Sequence, residues 1–193
     1  MFTKWRAVGA VAAFGLSLGL ATTALAQRGR GGQAQAEPQG TGPLRDLHFR
    51  FIGPQGNRDI SVVGVPGDSM VAYFGAASGG IWKTTDGGLS FQPVFDHQDV
   101  SAVGALAIAP SETNIVWAGT GEPSIIRQAT SPGDGVYKST DGGLHWQHMG
   151  LEQTGHIASI VINPNDANQV YVCAVGQGYR DQPERGVYTS DDG

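Results

Sequence analysis

The sequence predicts an all-β fold of the propeller type, and three observations carry that prediction. The chain repeats itself at about the length of one propeller blade. Each repeat reads as four short strands separated by turns. Glycine is abundant, 30 of 193 residues, and supplies the backbone angles that tight turns need.

The clearest repeated segment is Gly80-Ile81-Trp82-Lys83-Thr84-Thr85-Asp86-Gly87-Gly88-Leu89-Ser90-Phe91, which recurs as Gly135-Val136-Tyr137-Lys138-Ser139-Thr140-Asp141-Gly142-Gly143-Leu144-His145-Trp146. A third copy begins at Gly186-Val187-Tyr188-Thr189-Ser190-Asp191-Asp192-Gly193. The aspartates Asp86, Asp141 and Asp192 stand 55 and 51 residues apart. Upstream of each, a near-alternating strand leads into a polar turn and a second apolar strand. The first strands are Ile60–Pro66, Ala105–Pro110 and Ser159–Pro164. The polar turns are Gly67–Ser69, Ser111–Asn114 and Asn165–Asn168, and the second strands begin at Val71, Ile115 and Val170. A parallel β-helix suits this order less well, because its coils are shorter and lack the hairpins.

The shared motif, Ser/Thr-x-Asp-x-Gly-x-x-aromatic, is an Asp-box turn between the third and fourth strands of a unit. The carboxylates of Asp86 and Asp141 are suited to accept hydrogen bonds from turn N–H groups that have no ladder partner. Thr84, Ser139 and Ser190 offer a hydroxyl for the same purpose. Gly88 and Gly143 permit the turn geometry, and Phe91 and Trp146 supply an apolar plug beneath it. Catalysis or calcium binding is the alternative use of these aspartates. Topology favours turn stabilisation. In an up-and-down blade the Asp-boxes lie on the face opposite the second–third loops and blade links, where propeller ligands bind.

Blades are expected at about 56–97, 98–152 and 153–193. That is two complete units and about three quarters of a third, part of a ring of seven or more blades. The chain therefore reads as a partial sequence. Upstream, residues 1–26 read as a signal peptide: Lys4 and Arg6, an apolar stretch from Val8 to Leu20, then Ala24-Leu25-Ala26. The apolar stretch is short for a membrane span, so export to the periplasm or the exterior is expected, and an uncleaved anchor is the alternative. Residues 27–43 are rich in Gly, Gln, Ala, Arg and Pro and read as a disordered linker. The propeller then runs over 44–193.

Composition excludes some functions. The formal charge is −5 and no basic stripe is present, so nucleic acid is not an expected partner. The single cysteine, Cys173, precludes an internal disulfide. It falls in an apolar strand pattern and is expected to be a buried thiol. His48, His97, His145, His148 and His156 form no metal set. His145 and His148 are expected on one strand, on opposite faces and about 10 Å apart. Neither a metal nor a cofactor is expected.

The residues from Phe49 onward resemble those of large exported bacterial proteins with sortilin-like Asp-box (BNR) propellers, often labelled glycosyl hydrolase-like. The matching segments are Phe49–Pro54, Gly75–Lys83, Gly119–Glu122, Gly133–Ser139 and Gly155–Ile157. Related Asp-box propellers include sialidases, xyloglucanases, sortilin receptors and a photosystem assembly factor. The resemblance thus implies the propeller type and leaves function open.

The candidate site residues come from the loop face. The blade-two loop runs from Glu122 through Arg127 to Asp134. The blade-three loop, Gln177–Arg185, offers Tyr179 for stacking and Arg180 or Arg185 for pairing with a carboxylate. The links add Asp96, His97 and Asp99, then Glu152 and His156. Recognition of a peptide, another exported protein or a polysaccharide is the leading expectation, through Arg127, Tyr179, Arg180 and His156. Glycoside hydrolysis is the alternative, and needs two carboxylates roughly 5–10 Å apart. Glu122 and Asp134 are the nominated pair, although each also suits loop anchoring, with Arg127 as a partner for Asp134. Sialidase chemistry is disfavoured, because its arginine cluster is only loosely matched by Phe49–Pro54. A structural or assembly scaffold is the third reading.

Overall fold

The computed structural model describes residues 58–123, 130–178 and 181–193. The signal-peptide and linker segments, Phe49–Pro54, and Arg127, Tyr179 and Arg180 lie outside the described residues. Unit Phe49–Gly193 is compact, and its described part is built from antiparallel sheets.

The first sheet contains β1 (Asp59–Val65), β2 (Asp68–Ala76), β3 (Ile81–Thr84) and β4 (Gln92–Pro93) in sequence order. The second repeats that order with β5 (Val103–Ile108), β6 (Val116–Thr120), β7 (Val136–Ser139) and β8 (Gln147–His148). The third contains β9 (Ile157–Asn163), β10 (Asp166–Ala174) and β11 (Gly186–Ser190), with β10 in the middle. A short 3₁₀ turn, Glu152–Thr154, precedes the third sheet. Consecutive up-and-down sheets of this kind are the blades of a β-propeller segment.

Two polar clusters turn less of the chain than their composition suggests. Pairing of Val65 with Asp68 leaves only Pro66 and Gly67 at the first tip, so Asp68 and Ser69 belong to β2. Likewise Asp166, Ala167 and Asn168 belong to β10, because Asp166 pairs with Asn163. Ladder hydrogen bonds close each hairpin to its last possible pair, and the polar side chains are accommodated on exposed positions.

The core lies between the sheets. Between the first and second, Tyr73, Ile81, Phe95, Val103, Ile108, Val116, Ala118 and Tyr137 form one cluster. Between the second and third, Trp117, Val136, Ile157, Ile160, Val170 and Val172 form another. The alternation along each strand sends successive residues to the two neighbouring interfaces. Backbone segments meet closely where the blades converge. A Cβ at Gly104 would overlap the carbonyl oxygens of Gly121 and Ile157, so only glycine fits there.

Two sequence expectations are corrected here. Cys173 is exposed. Its strand is real, but it shares a sheet face with Val161, Tyr171 and Val187, which are 59%, 43% and 74% exposed. An apolar run marks a strand without saying which of its faces is covered. His145 and His148 are not strand partners either. His145 belongs to the turn before β8, beside Asp141, whereas His148 lies in β8 with Nε2 2.8 Å from the Asp134 carbonyl.

Candidate ligand-binding face

The loops between second and third strands, together with the blade links, emerge on one face. Glu122, Asp134 and His156 all sit there, at the ends of the inner strands.

Glu122 follows β6 and is only 4% exposed. Its main-chain N–H donates to the Ser131 carbonyl at 2.9 Å, closing the neck of the loop. Its Oε1 accepts a 2.5 Å bond from the Arg58 guanidinium, which immediately precedes β1. The pair therefore joins the first blade to the second. Burial without such a partner would make an ionised carboxylate costly.

Asp134 ends the same loop and is held on both carboxylate oxygens. Oδ2 accepts from the Tyr137 hydroxyl at 2.7 Å, and Oδ1 lies 3.2 Å from the Thr120 hydroxyl. Thr120 is fully buried and acts as a hub. Its oxygen accepts from the main-chain N–H groups of Asp134 and Gly135, and lies 2.7 Å from the Gly135 carbonyl. Burial, then the hydrogen bond to Asp134, pushes the Tyr137 hydroxyl well above its ordinary pKa, so it remains a donor.

His156 is 3% exposed and stands just before β9. Desolvation lowers its pKa, while the charge of Glu122 and a hydrogen bond to the Glu122 main chain act in the opposite direction. Nδ1 has no partner among the described residues. The carbonyl of His156 also accepts from Val175 at 2.9 Å, tying the link to the third blade. Glu122 and His156 are thus brought together, with Arg58, at the junction of three blades. Asp134 belongs to a separate network with Thr120 and Tyr137.

The Asp-box residues lie at the other ends of the strands. Asp86 Oδ1 accepts from the N–H groups of Leu89 and Ser90, each at 2.9 Å, and Oδ2 accepts from the Ser90 hydroxyl at 2.6 Å. Asp141 Oδ1 accepts from Leu144 and His145 at 3.0 and 2.9 Å. The hydrogen bonds from Ser90 hold Asp86 far below the usual carboxylate range, and those from His145 do the same for Asp141. Thr84 and Ser139 accept from the N–H groups of Gly88 and Gly143 at 2.9 and 2.8 Å. Those two glycines adopt φ of 85° and 89°, the left-handed region that other residues enter at a cost. In the third copy, Ser190 donates to Asp192 Oδ1 at 3.0 Å. The ring of Phe91 packs edge-on against Phe74. That of Trp146 reaches into the neighbouring blade, edge-on to Phe95.

Sequence reasoning missed Arg58, Thr120 and the two lysines of the repeat. Lys83 lies over the Tyr73 ring and donates to the Gly142 carbonyl, and Lys138 lies over Trp117 and donates to Gly193. The lysines had a visible signal, since both follow an aromatic residue in the repeated strand. Arg58 has no counterpart in the later repeats.

No family profile matches the chain, and no curated protein sequence matches it. Among solved structures it is similar to an ancestral GH74 enzyme, with a TM-score of 0.59 and 25% identity over 74% of this chain and 18% of that one. The GH74 enzyme of Niastella koreensis gives 0.51 and 21%, over 66% of this chain and 19% of that one. YCF48 bound to D1 peptide gives 0.51 and 17%, over 76% and 42%. The chain thus spans about a fifth of the GH74 enzymes' length, and the likeness to all three is one of propeller fold.

Proposed function

We propose that this chain is part of an exported propeller that binds a polypeptide or glycan through the loops and links of the face opposite its Asp-box turns. The observation that carries this reading is the engagement of the two loop carboxylates. Glu122 is buried against Arg58, and Asp134 is held by Tyr137 and Thr120. General acid–base work needs a carboxyl group within reach of a proton on substrate. Carboxylates already committed to joining blades, as Glu122 is, or to bracing a loop within one blade, as Asp134 is, suit a rigid platform instead. Side chains at the loops and links remain available, among them Asp96, His97, Asp99 and Asp181, all exposed. That a propeller of similar fold holds a peptide is compatible with a polypeptide ligand.

Hydrolysis of a polysaccharide is the second reading, favoured by the likeness to the ancestral GH74 enzyme. One experiment separates the two. The chain is incubated with xyloglucan and with a library of labelled peptides, and both retention and new reducing ends are measured. Binding without reducing ends supports a binding platform. Reducing ends that vanish in both Glu122→Gln and Asp134→Asn, each with the parent's melting profile, would overturn it in favour of hydrolysis.

A further inference from the structure

The Asp-box turns of the first two sheets each put a leucine into solvent. Leu89 and Leu144 are 78% and 72% exposed. Leu89 keeps that exposure beside the four-stranded second sheet, and Leu144 keeps it with a sheet on either side. The turn uses only their main chain. Each N–H donates to the Oδ1 of Asp86 or Asp141, at 2.9 and 3.0 Å. Every residue but proline offers that donor, so nothing in the turn calls for an apolar side chain here.

The same bonds hold the leucines on rigid supports. Met70 adds to the first of them. It is 49% exposed, its carbonyl accepts from the Gly87 N–H at 2.9 Å, and a Cβ at Gly87 would stand 3.4 Å from its sulfur. In the second sheet Asn114 takes that place, with its carbonyl accepting from Gly142 at 2.9 Å. A single exposed apolar side chain is ordinary. Leucine in the same solvent-facing slot of adjoining blades, on one face, marks an interaction surface.

Charge says what would fit it. Asp68 and Glu112 are exposed at the hairpin tips beside the two turns. Asp86 and Asp141 add their own charges, held ionised by the turn. The lysines of this face, Lys83 and Lys138, are tied to the carbonyls of Gly142 and Gly193. The described arginines, Arg58 and Arg185, belong to the loop face. An apolar surface with an anionic rim repels an anionic lipid surface and a second copy of itself, and attracts a cationic partner. Packed sheets stand about 10 Å apart or somewhat more at their tips, a distance that two to three helical turns of about 5.4 Å span.

We propose that the Asp-box face of the first two blades is a docking surface for a cationic amphipathic helix of another polypeptide, whose apolar stripe covers Leu89 and Leu144 and whose basic side chains meet Asp68 and Glu112. The surface is opposite the loop face and does not depend on the function assigned there.

The test uses the whole chain and a dye-labelled helical peptide of about 18 leucine and lysine residues in an amphipathic pattern, with fluorescence anisotropy as the readout. Saturable binding is expected, and a peptide with glutamate in place of lysine should not bind. The double variant Leu89→Ser, Leu144→Ser keeps both N–H donors and the melting profile, and should bind at least about tenfold more weakly. If serine alters the melt, glutamine at both positions replaces it in the test. Asp68→Asn with Glu112→Gln removes two charges from this face, and Asp96→Asn with Asp99→Asn removes two from the loop face. The first pair should weaken binding by about threefold to tenfold, the second by less than about twofold. Absence of binding, equal binding of the glutamate peptide, undiminished binding to the leucine variant, or equal losses from the two charge pairs overturns the proposal. Retention on anionic phosphatidylglycerol vesicles that requires the two leucines overturns it as well, in favour of a membrane surface.

Discussion

The indole N–H of Trp146 donates to the main-chain carbonyl of Val94 at 2.8 Å, so the ring that ends one Asp-box turn fastens the blade to the one before it. Phe95, 2% exposed, receives that ring edge-on at 5.2 Å between centroids. The motif therefore acts twice, once within its turn and once across the interface.

Removing the ring should be expensive. Trp146→Ala leaves a void against Tyr73, Val94 and Phe95, and should cost about 3–5 kcal/mol, the usual range for a large aromatic in a core. Trp146→Phe keeps an edge-on partner for Phe95 and loses the bond to Val94, so about 1–2 kcal/mol is expected. Urea unfolding of the two variants measures both figures. Equal losses in the two would mean that the hydrogen bond, not the ring, carries the contact.

The Asp-box carboxylates should make the fold acid-sensitive. Hydrogen bonds from Ser90 and His145 lower the pKa of Asp86 and Asp141 from the ordinary 3.8. A carboxylate with a depressed folded pKa contributes stability above its unfolded value, and loses it as pH falls through the folded one. Melting temperature should therefore drop as pH falls below about 4, in a window set by the ordinary Asp value. In the double variant Asp86→Asn, Asp141→Asn the drop should be shallower, and stability at neutral pH lower. An unchanged acid slope would remove these two groups from the account.

A second, milder window belongs to His156. Burial lowers its pKa from the ordinary 6.5, so the unfolded chain takes up the proton first. Stability is then fully present above 6.5 and declines as pH falls from there toward the lowered folded value. Thermal melts between about pH 7 and 5 should show this decline in the parent and less of it in His156→Gln. Identical profiles in the two chains would mean that the ring is not desolvated as its 3% exposure implies.

The repeats of Gly-x-aromatic-Lys-Ser/Thr-x-Asp-Gly-Gly made the sheets and their order legible, because a four-stranded unit and its turn are local in sequence. What joins the units was not. Thr120 ends an apolar strand within the segment Gly119–Glu122, and only the fold brings it to Asp134. Arg58 and Glu122 are 64 residues apart, and nothing in either segment announces the other. Cys173 shows the same limit from another side, since the covering of a strand face depends on the neighbouring sheet. Arg127, Tyr179 and Arg180 lie outside the described residues, so the loop face is known from its rims.

The Arg58–Glu122 pair supplies the sharpest test of how the blades are held. Glu122 has a side chain 5% exposed, whereas that of Arg58 is 45% exposed. Breaking a fully buried pair by removing one partner costs about 3–5 kcal/mol. Water still reaches the arginine here, so Arg58→Ala should cost less, about 1–3 kcal/mol. Glu122→Gln keeps the shape and removes the charge, which costs the arginine little because its guanidinium can turn to solvent. The two changes share one interaction, so the double variant should be less destabilised than the sum of the singles, by about 1 kcal/mol or more. Strict additivity in urea unfolding would show that the 2.5 Å contact contributes nothing to joining the first and second blades.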